Sequence, residues 1–101
     1  MEQYIQIDLP IEAIQTYCEK QPIQRLSLFG SVLRDDFTRA SDIDMLVDYM
    51  PNSGMTLFDM AQQEYDLTDI IGRKVDLRTP NELSKYFRQK VINLAVLIYD
   101  T

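Results

Sequence analysis

The chain has 101 residues, 46% hydrophobic and 26% charged, which fits one globular domain with one modest core. Sixteen acidic against 10 basic residues give a formal charge of −6, which disfavours a broad nucleic-acid surface and favours a basic protein partner or a metal-bridged phosphate ligand. With no histidine and a single cysteine, Cys18, the chain excludes a Ser-His-Asp triad, a Cys-His pair, an internal disulfide and the usual zinc sites.

No apolar stretch approaches the roughly 18 residues that a membrane span needs. Met1 to Asp8 has no basic residue and no apolar h-region, so no signal peptide is expected. A cytoplasmic location is the default expectation, with no membrane contact and no direct nucleic-acid binding. No repeat or linker divides the chain, so residues 1–101 are expected to form a single domain.

In chain order, Asp8-Leu9-Pro10 predicts a helix start, with Asp8 as cap and Pro in the first turn. Ile11, Ile14, Tyr17 and Cys18 fall on one helical face, which makes Cys18 a core residue. Arg25 to Phe29 reads as a short strand broken by Gly30-Ser31, and Ser31 to Asp36 as one helical turn. Asp42 to Val47 is a second strand, and Met50 to Gly54 a turn cluster. Leu57 to Ile71 reads as an amphipathic helix with Leu57, Met60, Ala61, Leu67 and Ile71 inward, stopped by Gly72. Lys74 to Leu77 is a third strand. Thr79-Pro80-Asn81-Glu82 has capping-box spacing and predicts a helix carrying Leu83, Tyr86, Phe87, Val91 and Leu94 inward. Val96 to Tyr99 reads as a short edge strand. This order predicts an α+β fold, a small mixed β-sheet with helices packed on one face.

The chemistry lies around the first two strands. Residues two apart in a strand share a face, so Asp42, Asp44 and Leu46 lie on one side and the apolar Ile43, Met45 and Val47 on the other. Two carboxylates so close repel unless a cation neutralises them, and Mg²⁺ is commonly held by one or two carboxylates plus substrate phosphates. Asp76 alternates with Val75 and Leu77. If its strand pairs beside Asp42 to Val47, three carboxylates meet, enough for two metals roughly 3.5–4 Å apart in an in-line displacement. Asp76 would then be the base nearest an incoming hydroxyl. Gly30 lets backbone approach a phosphate closely, a helical turn at Ser31 would offer free N–H groups and a hydroxyl, and Arg34 would add positive charge.

Leu28-Phe29-Gly30-Ser31 through Ser41-Asp42-Ile43-Asp44-Met45-Leu46-Val47 resembles the Gly-Ser-x10-Asp-x-Asp signature of the DNA polymerase β-like nucleotidyltransferases, in their smallest branch, the minimal nucleotidyltransferases. Arg34, Asp35-Asp36, Ser41 and Gly72 to Leu77 suit that branch, and the resemblance runs from about Arg25 to Asp100. It implies a polymerase β-like palm, two Mg²⁺ ions on Asp42, Asp44 and Asp76, and ATP as donor, held by Gly30, Ser31 and Arg34. It also implies an antitoxin that moves AMP onto a tyrosine of a HEPN-domain ribonuclease toxin. Relatives that modify small molecules carry a second domain for the acceptor, so here the acceptor platform is expected on a partner. Two alternatives remain open: an antitoxin that neutralises by binding alone, and a nucleotidyltransferase acting on a small molecule or RNA end.

Overall fold

The computed structural model describes residues 8–33, 38 and 41–101. Helix α1 (Ile11–Glu19) leads into β1 (Ile23–Phe29), and a 3₁₀ turn follows over Gly30–Leu33. Strand β2 (Ile43–Tyr49), helix α2 (Leu57–Ile71) and β3 (Val75–Arg78) come next. A second 3₁₀ turn (Pro80–Glu82), helix α3 (Arg88–Leu94) and β4 (Val96–Asp100) complete the chain. The four strands form one mixed sheet in the order β3-β2-β1-β4, so β4 is an edge strand as expected. β1 runs antiparallel to both its neighbours, while β2 and β3 are parallel.

Strand alternation builds the core. Ile43, Met45 and Val47 of β2 are fully buried, beside Leu26 and Leu28 of β1 and Val75 and Leu77 of β3. A register irregularity between Ile23 and Arg25 lets Ile23 join the same apolar layer although it stands three residues from Leu26. Ile14 and Cys18 of α1 and Met60 and Leu67 of α2 close this layer. Burial pushes the Cys18 thiol up to about 11, as suits a core residue.

Four local expectations need correction. Asp8 does not cap α1. Pro10 occupies the cap position with no side-chain bond, and the Ile11 N–H donates to the Leu9 carbonyl at 2.8 Å. Leu57 and Ala61 face outward from α2, with Leu57 81% exposed. The inward stripe is Met60, Gln63 and Leu67, with Ile70 and Ile71 partly buried. The buried Gln63 accepts from the Tyr49 hydroxyl at 2.7 Å and donates to Gln21 at 3.3 Å, so its amide is matched inside. The capping box at Thr79 and Glu82 forms, but it starts only a 3₁₀ turn. Leu83 swings into the core in an extended conformation, and Arg88 Nη2 staples the bend by donating to the Leu83 carbonyl at 3.1 Å. The helix therefore begins at Arg88, and Tyr86 (87% exposed), Phe87 and Leu94 are not core residues.

Strand β3 is a sheet edge, and α2 covers its free N–H groups. The Val75 N–H donates to Thr68 Oγ1 at 3.0 Å and the Leu77 N–H to Glu64 Oε2 at 2.8 Å. Thr68 in turn donates to the Glu64 carbonyl at 2.8 Å. Replacing Thr68 by Val leaves the Val75 N–H without its acceptor. Thr68→Val is expected to lower the unfolding free energy by about 1–3 kcal/mol in a urea titration. A change below about 0.5 kcal/mol would mean the clamp carries no stability.

Candidate active site

The pairing of β1 with β2 sets Phe29 opposite Asp44, so the turn after β1 lies against the start of β2. Gly30 turns there with φ +76, a left-handed conformation that costs glycine little. A Cβ at this position would overlap the Asp44 carboxylate. The close approach lets the Ser31 backbone N–H donate to that carboxylate. Gly30 and Ser31 thus meet Asp44 directly, in a 3₁₀ turn (Gly30–Leu33). Asp35 and Asp36, and with them the rest of the helical turn expected from Ser31, lie outside the described residues, as does Arg34.

Parallel pairing of β2 with β3 sets Asp44 beside Asp76, with Ile43 beside Val75 and Met45 beside Leu77. Asp76 therefore shares the face of Asp44, opposite the apolar layer. Asp42 stands immediately before β2, where the Ile43 N–H donates to the Lys74 carbonyl at 2.9 Å. Arg73 holds the preceding loop through Nη2 bonds to the carbonyls of Thr38 at 2.8 Å and Ser41 at 3.1 Å. The sheet thus brings all three expected carboxylates to one face.

Their electrostatics differ. Asp42 Oδ2 lies 3.8 Å from Lys74 Nζ, and Asp76 Oδ2 lies 3.2 Å from Arg78 Nη2. Asp44 has no ion-pair partner among the described residues. Burial holds its carboxyl above the ordinary range, and the charges of Asp76 and Asp42 push it further. Arg78 and the Ser31 N–H pull it back in part. Among the described residues no three acidic, histidine or cysteine side chains converge as a ready-made metal cluster, with Asp42 turned to Lys74 and Asp76 to Arg78. The donor set nevertheless suits a hard divalent cation: it is all carboxylate oxygen, and its innermost member is the one whose negative charge the fold opposes.

Sequence reasoning passed over Lys74 and Arg78. Arg78 was detectable, since it follows Asp76 by two residues and so shares its strand face. Beside Asp44 opens a hollow of about 560 Å³, within the size range of small-molecule sites. One wall is Phe29, Gly30, Ser31 and Leu33, and the other comes from α3. Met50 and Met55 do not line it.

Residues 12–101 match the family described as polymerase beta, nucleotidyltransferase, and the chain belongs to that family. It is a nucleotidyltransferase domain. A candidate protein adenylyltransferase of Methanocaldococcus jannaschii is 34% identical to it over 77 residues, 76% of this chain and 81% of the relative. The structure of a candidate minimal nucleotidyltransferase superposes with a TM-score of 0.71 at 31% identity, covering 85% of this chain and 86% of the other. A toxin–antitoxin structure with AMP-PNP superposes with a TM-score of 0.73, covering 92% of this chain and 75% of the other; at 22% identity this is a likeness of fold. Among the described residues no helix is long and apolar enough to cross a membrane.

The state of Asp44 has a measurable consequence. A carboxyl whose folded pKa lies above its unfolded value favours the protonated form in the fold. Its stabilising contribution is present below the ordinary carboxylate value of about 4 and is lost as pH rises through the raised value. Asp44→Asn removes that loss. With EDTA present, the variant is expected to melt above wild type at neutral pH, and the gap should close toward about pH 4. A variant that melts below wild type at neutral pH contradicts this account of Asp44.

Proposed function

We propose that the chain is a protein adenylyltransferase that moves AMP from ATP onto a tyrosine hydroxyl of a HEPN-domain ribonuclease toxin and so silences it. The observation that carries the reading is the pairing of Asp44 with Asp76 on one face, beside the Gly30-Ser31 turn. A relative 34% identical bears the name of a candidate protein adenylyltransferase. A structure of the same fold is a toxin–antitoxin pair with AMP-PNP, which supports ATP as donor and a toxin as partner.

In this reading the backbone of Gly30 and the hydroxyl of Ser31 hold the triphosphate, and Arg34 would add positive charge. Asp42 and Asp44 would hold two Mg²⁺ ions, and Asp76 one of them. The ions, when bound, neutralise charge on the phosphates and act as Lewis acids. The tyrosine oxygen forms a bond to the α-phosphorus while the bond from that phosphorus to the bridging oxygen breaks. Pyrophosphate leaves, and Asp76 takes the hydroxyl proton. The chain's own work is to orient: β1 brings the turn to Asp44, and β3 sets Asp76 beside it. The acceptor comes from the partner, and the chain functions as one half of a two-protein module in the cytoplasm.

The test is transfer from ATP labelled on its α-phosphate, with Mg²⁺ and the toxin. Wild type is expected to label the toxin, and Asp42→Asn to slow labelling by about a hundredfold or more. A competent toxin left unlabelled, with Asp42→Asn indistinguishable from wild type, sinks the proposal. The charge of −6 favours a second reading, neutralisation of a basic toxin by contact alone. In that case Asp42→Asn/Asp44→Asn neutralises the toxin as well as wild type does.

A further inference from the structure

The hollow beside Asp44 has a cation in its second wall. Phe87, Lys90, Val91 and Leu94 line it from the α3 side. Lys90, Val91 and Leu94 lie along one side of α3, and Phe87 stands at its cap position. Three of these positions are apolar, and the fourth is a lysine that lines the same hollow as Gly30, Ser31 and Asp44. An ammonium group on an otherwise apolar stripe calls for an anion to meet it.

No carboxylate among the described residues pairs with this ammonium group. Among the described residues, no ion pair or hydrogen bond holds Lys90. The charges acting on Asp44 are those of Asp76, Asp42 and Arg78, with no contribution from Lys90. Its basic neighbours are occupied: Lys85 lies 5.5 Å from the Tyr86 ring centroid, and Arg88 donates to the Leu83 and Asn81 carbonyls at 3.1 and 3.4 Å. Lys74 and Arg78 are engaged by Asp42 and Asp76. Among the described residues, Lys90 is thus a cation without an ion-pair partner in the hollow that Gly30 and Ser31 also line.

We propose that Lys90 is the helix-side ligand of the nucleotide's β- and γ-phosphates, meeting from α3 the polyphosphate that Gly30 and Ser31 meet from the sheet. This rests on the reading of the chain as an ATP-dependent nucleotidyltransferase, and it assigns a binding residue that the Gly-Ser and Asp-x-Asp positions do not include. The role fits the charge of the site. Asp44, the carboxylates beside it and a polyphosphate repel, and a lysine lining the same hollow offsets the phosphate charge. It meets the phosphates that leave as pyrophosphate, so its loss weakens ATP binding and lowers kcat/KM for ATP.

The experiment measures binding of a non-hydrolysable ATP analogue and of AMP, each with Mg²⁺, to wild type, Lys90→Ala and Lys90→Arg. Lys90→Ala is expected to weaken the ATP analogue by about tenfold or more and AMP by less than about twofold. Lys90→Arg, which keeps the charge, should bind the analogue within a few-fold of wild type. Because Lys90 is exposed, all three should share one melting temperature. Binding of the analogue by Lys90→Ala within about twofold of wild type overturns the proposal. An equal loss for AMP and the analogue also overturns it, since Lys90 would then shape the wall rather than meet the outer phosphates. A wild-type chain that binds neither nucleotide overturns the functional reading itself, a failure distinct from the other two.

Discussion

The site depends on one contact: the Asp44 carboxylate set against the Gly30 backbone, with the Ser31 N–H donating to it. It ties the turn that ends β1 to the start of β2, at the Phe29–Asp44 pair of the ladder. A side chain larger than hydrogen at position 30 would collide with that carboxylate, and the left-handed φ would itself resist one. The spacing between Gly-Ser and Asp-x-Asp follows from this contact. Two strands must run antiparallel and in register for the turn of one to reach the first carboxylates of the other.

Around the contact the fold works against its own charges. Burial and the charges of Asp76 and Asp42 oppose the ionised form of Asp44, and Arg78 and the Ser31 N–H only partly relieve it. The expense is borne by the apolar layer beneath, where Ile43, Met45 and Val47 are fully buried, and by the clamp of Thr68 and Glu64 on β3. Exposed ion pairs such as Lys74–Asp42 contribute little stability. They give the outer carboxylates cationic neighbours, while the innermost has the backbone N–H of Ser31. Such a site gains when a divalent cation arrives, which links the local strain to the chemistry of the family.

Much of this was legible in the chain itself. Period-two alternation located both faces of β2 and β3, and with them Asp42, Asp44 and Asp76, because a buried strand face tolerates no charge. The bounds of α2 were legible because an apolar period ends at a left-handed Gly72. The segment after Thr79 was not. Its capping box formed, yet burial of Leu83 outweighed helix continuation, and Arg88 bonded the resulting bend. Helical periodicity read Tyr86 and Phe87 as core because it counted from a start at Pro80, whereas the helix begins at Arg88. Gln63 was missed since a polar residue on an apolar stripe shows its partners, Tyr49 and Gln21, only in three dimensions. Lys90 stood among scattered basic residues until the fold of α3 brought it to the hollow that Ser31 also lines.

The Gly30-Ser31 turn, Asp44 and the α3 wall line one hollow, and Asp76 stands beside Asp44 on the sheet. The family supplies the reaction class, and the proposed function puts a nucleoside triphosphate in this hollow. The most direct test is a crystal structure of the chain with Mn²⁺ and a non-hydrolysable ATP analogue, with anomalous scattering locating the metal. The account predicts metal coordinated by Asp42 and Asp44, with the triphosphate on the Gly30-Ser31 turn. Metal and nucleotide bound away from these residues, with Asp44 still held only by Ser31, would contradict it.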